Sequence, residues 1–115
     1  MYRPKAISDF LFYMDNIRKL PLSFIGTGEV KGFKFTLKKD GENAYIYEVE
    51  NGNMIYYEVF LKKHSPICLD FKNKIYSETE FKEIYPNSKH FGIWAFCKNT
   101  YGPALVKFNE LNLNV

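Results

Sequence analysis

Two dipeptides limit what the middle of this chain can become: Asp40-Gly41 and Asn51-Gly52. Each suits the positive backbone φ of a two-residue hairpin turn. Each also separates runs in which apolar and polar residues alternate. "VKGFKFTLKK" (Val30–Lys39), "NAYIYEVE" (Asn43–Glu50) and "NMIYYEVFLKK" (Asn53–Lys63) therefore read as three antiparallel strands. Tight turns fix register, so the faces follow. With those dipeptides as loop residues, Leu37 lies opposite Ala44, and Ala44 opposite Val59. Phe35, Ile46 and Tyr57 make the next row, then Phe33, Glu48 and Ile55. That face is apolar apart from Glu48. The opposite face carries Lys34, Lys38, Tyr45, Tyr47, Tyr56, Phe60 and Lys62.

Helical periodicity appears before this meander and turn signals follow it. Ile7, Phe10, Leu11, Met14 and Ile17 mark an amphipathic helix over Pro4–Lys19, which Pro21 ends. Ile67–Phe71 ("ICLDF") reads as a short fourth strand. "SETE" at Ser77–Glu80 is a capping-box pattern and predicts a helix to Tyr85, stopped by Pro86, with Phe81, Ile84 and Tyr85 inward. Phe91–Cys97 is an apolar run with the single Trp, read as a strand buried on both faces. "NTYGP" then opens a helix, with Thr100 or Gly102 as N-cap and Pro103 in its first turn. Ala104, Phe108 and Leu111 share one of its faces. The expectation is one α+β domain over residues 1–115. It has an antiparallel β-meander of three to five strands with helices on one face, in the order α-β-β-β-(β)-α-β-α.

Composition excludes several function classes. At 115 residues and 46% apolar, the chain can bury a core without staples. Only two of 16 basic residues are Arg, and the net charge is +3. Bidentate reading of bases favours Arg, so nucleic acid is a secondary expectation. No apolar run approaches the ~20 residues of a membrane span. No membrane partner and a cytoplasmic location are expected. Cys68 and Cys97 have no metal-ligand spacing with His64 or His90, and are expected as free core thiols. His90 is expected in an exposed loop. "GTGEVKG" (Gly26–Gly32) departs from a phosphate-loop pattern and precedes a strand, so it reads as a lead-in to that strand with a bulge at Gly32. No catalytic residue, metal or cofactor is expected.

Tyr85-Pro86, then Phe91-Gly92-Ile93-Trp94-Ala95, then Lys107-Phe108-Asn109-Glu110-Leu111 form a pattern of Y-P, F-G-x-W-A and K-F-x-E-L. Together with the meander it resembles a class of short accessory proteins of phages and mobile elements of gut-type bacteria, over about Gly32–Leu111. The resemblance implies an accessory-gene setting and not a mechanism. In that setting the expected function is a non-enzymatic protein that binds and inhibits a host protein or nucleoprotein machine, such as a CRISPR-type defence complex. The alternatives are a nucleic-acid module using the Lys/Tyr face, and a structural domain or enzyme. The partner-binding residues expected are Lys34, Lys38, Tyr45, Tyr47, Tyr56, Phe60 and Lys62, because open-face aromatics stack bases or anchor protein interfaces. An edge strand or that same face would also serve a homodimer.

Overall fold

The computed structural model describes residues 17–113. The elements are β1 (Ile17–Arg18), β2 (Ser23–Ile25), β3 (Lys34–Asp40), β4 (Ala44–Asn51), β5 (Met54–Leu61), β6 (His64–Asp70), β7 (Ile75–Glu83), β8 (Ala95–Lys98) and the helix α1 (Tyr101–Leu113). The class is α+β, with mostly antiparallel sheets. Its layout differs from the expected one. Eight strands in two sheets and one α-helix lie among the described residues. The helix expected over Pro4–Lys19 lies mostly outside the described residues, and its last turn is instead strand β1. The chain divides into two compact units, one holding residues 17–20 and 63–85, the other 21–62 and 86–113.

The larger unit is a five-stranded antiparallel sheet in the order β2-β3-β4-β5-β8. Its middle strand, β4, is buried on both faces. Ala44 and Ile46 point to α1, where Val59, Ala104, Phe108 and Leu111 close a core. The predicted helix face, Ala104, Phe108 and Leu111, is the face that is buried. Burying each large apolar side chain there contributes about 1.5–3 kcal/mol. Lys107 lays its ammonium 4.1 Å from the Phe96 ring centroid, covering the rim of this core. Tyr45, Tyr47 and Val49 point the other way, into a second core with Phe35 and Phe60.

The hairpin registers slide relative to the sequence reading. β4 meets β5 with Ala44 opposite Leu61, Ile46 opposite Val59 and Glu48 opposite Tyr57. The expected partners were Val59, Tyr57 and Ile55. The turn residues are Gly52-Asn53, with Gly52 at φ 60°. Glycine takes that conformation without a Cβ penalty, so the turn centres one residue later than the dipeptide implies. The slide is even, so both faces of β4 and β5 survive it.

The β3–β4 turn also moves, and α1 is the physical reason. Asn112 Oδ1 accepts from the Asn43 backbone N–H at 2.7 Å, and Asn43 Nδ2 donates to the Asn112 carbonyl at 3.2 Å. Gly41 lies so close to Phe108 and Asn112 that a Cβ there would approach both within 2.6 Å. Further along, a bulge lies between Leu37 and Lys39. One extra residue turns the strand over. Leu37 therefore faces Tyr47, and Phe35 faces Val49, not Ala44 and Ile46 as expected.

The smaller unit is the sheet β1-β7-β6, with β1 parallel and β6 antiparallel to β7. Ser77–Tyr85, expected as a helix, lies in strand β7 and the residues after it. The local signal was partly real. Ser77 Oγ accepts from the N–H groups of Thr79 and Glu80, at 3.2 and 2.9 Å, as a cap would. These bonds hold an irregularity where β7 carries extra residues between Tyr76 and Phe81, opposite Cys68 and Pro66. Ladder pairing with β6 on one side and β1 on the other then outweighs helix propensity. Pro66 lacks an N–H and sits in β6, an edge strand, where no donor is needed on the open side.

"FGIWAFC" is strand only from Ala95. Phe91–Trp94 is a turn closed by Gly92 N–H to the Ala95 carbonyl at 2.7 Å. Ile93 and Cys97 are exposed, so the run is not buried on both faces. Gly26–Gly32 forms a hydrogen-bonded loop between β2 and β3 with a short 3-10 turn at Gly28–Val30. Asn112→Ala removes the acceptor for Asn43 and should lower stability by about 1–2 kcal/mol in urea unfolding, with Gly41→Val costing more.

Candidate functional site

The Lys/Tyr face does not form as one surface. Tyr45, Tyr47, Tyr56, Phe60 and Lys62 share a side of the sheet, but Tyr45 is 1% exposed and Tyr47 and Phe60 are 0% exposed. Their rings build an aromatic core. Tyr47 stacks on Phe60 at 5.7 Å, Tyr45 packs edge-on to Tyr47 at 5.8 Å, and Trp94 meets Phe60 edge-on at 6.4 Å. Phe24 adds a cover, stacked on Phe35 at 4.6 Å. The Tyr47 hydroxyl donates to the Pro21 carbonyl at 2.6 Å, which satisfies a polar atom that burial would otherwise penalise. Lys62 stays at the rim, 2.6 Å from Asp40 and 4.5 Å from the Tyr45 ring centroid. Tyr56 is half-buried. Burial first, and the Glu58 carboxylate next, push its hydroxyl above the ordinary tyrosine value.

Lys34 and Lys38 lie apart from these aromatics, because the bulge turns β3 over. Lys34 lies opposite Glu50 in the β3–β4 ladder, and Lys38 reaches Glu48 at 3.6 Å. They belong to the face that α1 covers, on the part beyond the helix. Tyr57 lies on this part too, donating to Glu48 Oε2 at 3.3 Å, with Tyr101 packed edge-on against it at 5.5 Å. Partial desolvation and Glu48 together raise the Tyr57 pKa. This open half is therefore a mixed surface of Lys, Glu and Tyr.

A second exposed surface has no counterpart in the sequence reading. At the end of the β6–β7 hairpin, Leu69 is 63%, Phe71 87%, Ile75 50% and Tyr76 52% exposed. The turn between them is built, not loose. The Asp70 carboxylate accepts from Asn73 Nδ2 at 2.8 Å and from the Asn73 N–H at 3.2 Å, and Lys74 takes a positive φ of 54°. Those bonds, the side-chain one first, hold the Asp70 pKa below its ordinary value. The available signal was "LDFKNKIY", with apolar residues on both sides of an Asp-x-x-Asn turn. The neighbouring SETE pattern masked it by pointing to a helix.

The cysteines are free and exposed, not core thiols. Cys97 lies opposite Glu58 across β5 and β8. Partial burial and then that carboxylate push its thiol upward, which disfavours a nucleophilic thiolate. His90 has a local task. Its Nδ1 accepts from the Asn87 N–H at 3.1 Å while the Asn87 side chain accepts from Lys89, a reciprocal cap on the Ser88–His90 turn. Its ring lies 4.6 Å from the Trp94 ring. Trp94 is half-buried against Phe60, so the densest part of the sequence serves packing and capping. Among the described residues no group of three His, Cys, Asp or Glu could hold a metal ion, and no helix is long and apolar enough to cross a membrane.

Searches against protein-family models, curated proteins and solved structures found no match to this chain.

Tyr47→Ala should cost about 3–5 kcal/mol in urea unfolding, the scale of a buried aromatic truncation. Tyr47→Phe, which removes the hydrogen bond to Pro21, should cost about 1 kcal/mol. Cys97 should be alkylated slowly by iodoacetamide at neutral pH. Glu58→Gln should speed it, because removing the negative neighbour lowers the thiol pKa and raises the thiolate fraction; an unchanged rate would show that Glu58 does not act on the thiol.

Proposed function

We propose that this protein is a small non-enzymatic interaction protein that binds a host macromolecular complex and blocks it, in the manner of an accessory protein of a phage or mobile element. One observation carries the reading: the β6–β7 hairpin holds four large apolar side chains, Leu69, Phe71, Ile75 and Tyr76, in water on a hydrogen-bonded turn. Apolar side chains gathered in water mark interaction sites, and aromatic anchors dominate interface energies. A turn already ordered loses little entropy on docking. Phe71 is the anchor, and it fits an apolar pocket on a protein partner.

A nucleic-acid module is the second reading, favoured by Lys34 and Lys38 lying near Tyr57 on the open half of the larger sheet. Glu48 and Glu50 lie between the lysines and that tyrosine and repel phosphate, so a protein partner takes precedence. The proposal is tested by tagged capture from host lysate with and without nuclease, using the wild type and Phe71→Asp. The expected result is a protein partner that survives nuclease and raised salt and is lost with Phe71→Asp, while the melting curve is unchanged. Adding the purified protein to that partner complex should then reduce its activity. Recovery of nucleic acid alone, lost on digestion and steeply salt-dependent, would replace this reading with the second one.

A further inference from the structure

The tip of the β6–β7 hairpin carries a charge pattern as well as an apolar one. Its apex is the turn Phe71–Lys74, closed by the Lys74 N–H donating to the Phe71 carbonyl at 3.3 Å. Phe71, Lys72, Asn73 and Lys74 are all exposed. The acid of the tip, Asp70, has its carboxylate turned onto Asn73, at 2.8 and 3.2 Å, so its charge is engaged within the turn. The two ammonium groups have no such task. Neither Lys72 nor Lys74 makes an ion pair among the described residues. The exposed acids of β7, Glu78 and Glu80, lie behind Tyr76, in the irregular stretch that Ser77 holds. The charge presented outward at the apex is therefore positive.

Lys74 adds a second observation. Its φ of 54° lies in the left-handed region, which glycine adopts without penalty and where asparagine is enriched. Its side chain forms no hydrogen bond or ion pair among the described residues that would offset the strain. A lysine kept in a strained conformation at an exposed turn meets a demand from outside the fold. We infer that the hairpin docks in a protein pocket with an apolar floor for Phe71 and carboxylates at its rim, placed to meet Lys72 and Lys74. The inference rests on the interaction role proposed above and specifies the chemistry of the partner. Charge complementarity selects the acidic rim: the lysines steer the encounter, and Phe71 holds the complex once formed. A lipid surface fits less well. Lys72 and Asn73 occupy the apex, so a tip-first approach would carry an ammonium group deepest, ahead of Leu69 and Ile75.

The test uses the full chain and its variants as bait in host lysate, with captured protein quantified by mass spectrometry. The wild type should recover a protein that Phe71→Asp does not. K72E/K74E should recover about tenfold less of that same protein, or lower still, because reversed rim charges slow association. K72R/K74R keeps both charges and should retain it. Lys74→Gly removes one cation together with the backbone strain, so its melting temperature should rise while recovery falls. Carbodiimide treatment of the wild-type complex should couple Lys72 or Lys74 to an Asp or Glu of the captured protein. Melting curves check folding, and Lys72→Glu alone replaces the double reversal if that variant unfolds. A protein lost with Phe71→Asp but recovered equally by K72E/K74E would overturn the acidic rim and leave the interaction role standing. No recovered protein, or recovery indifferent to Phe71→Asp, would overturn that role and the rim with it. Wild-type binding to phosphatidylcholine–phosphatidylglycerol vesicles that K72E/K74E abolishes, with no protein recovered, would assign the tip to a membrane surface instead.

Discussion

Burial of β4 on both faces is the constraint from which the rest of the larger unit follows. Ala44, Tyr45, Ile46 and Tyr47 are each 0–1% exposed. A strand flanked by two strands has its backbone satisfied by them, but two buried faces require two separate covers. The small residues Ala44 and Ala104 let α1 approach closely on one side. On the other side aromatic rings fill the space, and the only strongly polar atom carried inward by Tyr47 finds the Pro21 carbonyl. Neither cover replaces the other, because each buries alternate residues of the same strand.

The bulge in β3 decides the character of the surface. Without it, Lys34 and Lys38 would project with the tyrosines and a cationic aromatic platform would exist. With it, Phe35 joins the tyrosines in the core and the lysines move to the open half-face beside Glu48 and Glu50. Apolar burial explains the choice. Keeping Phe35 in water would forgo about 1.5–3 kcal/mol, and turning Lys34 inward would add a desolvation penalty. The surface left for contact is consequently one of mixed sign.

Much of this was legible along the chain and some was not. The three long strands, the faces of β4 and β5 and the buried stripe of α1 follow from alternation and helical spacing. Those patterns repeat over many residues and survive a slide of register by two. The bulge at Lys38 escaped because it breaks alternation by a single residue. Ser77 shows the opposite failure. Its hydroxyl makes the local bonds of a helix cap, yet the segment is a strand, because pairing with distant β6 and β1 supplies more than one turn of helix would. The exposed hairpin tip was hidden behind that same misreading.

By itself the sequence determined the α+β class, the antiparallel meander, the C-terminal helix and the stripe that helix buries, since these depend on periodicity within short windows. The tertiary structure alone decided which turn residues close each hairpin, on which face Phe35, Lys34 and Lys38 fall, and that Tyr45, Tyr47 and Phe60 are core and not platform. Those outcomes depend on contacts between residues far apart in the chain, such as Asn43 with Asn112 and Tyr47 with Pro21. Local pattern carries no information about what will cover a face. Burial of that face is settled only when the covering segment arrives.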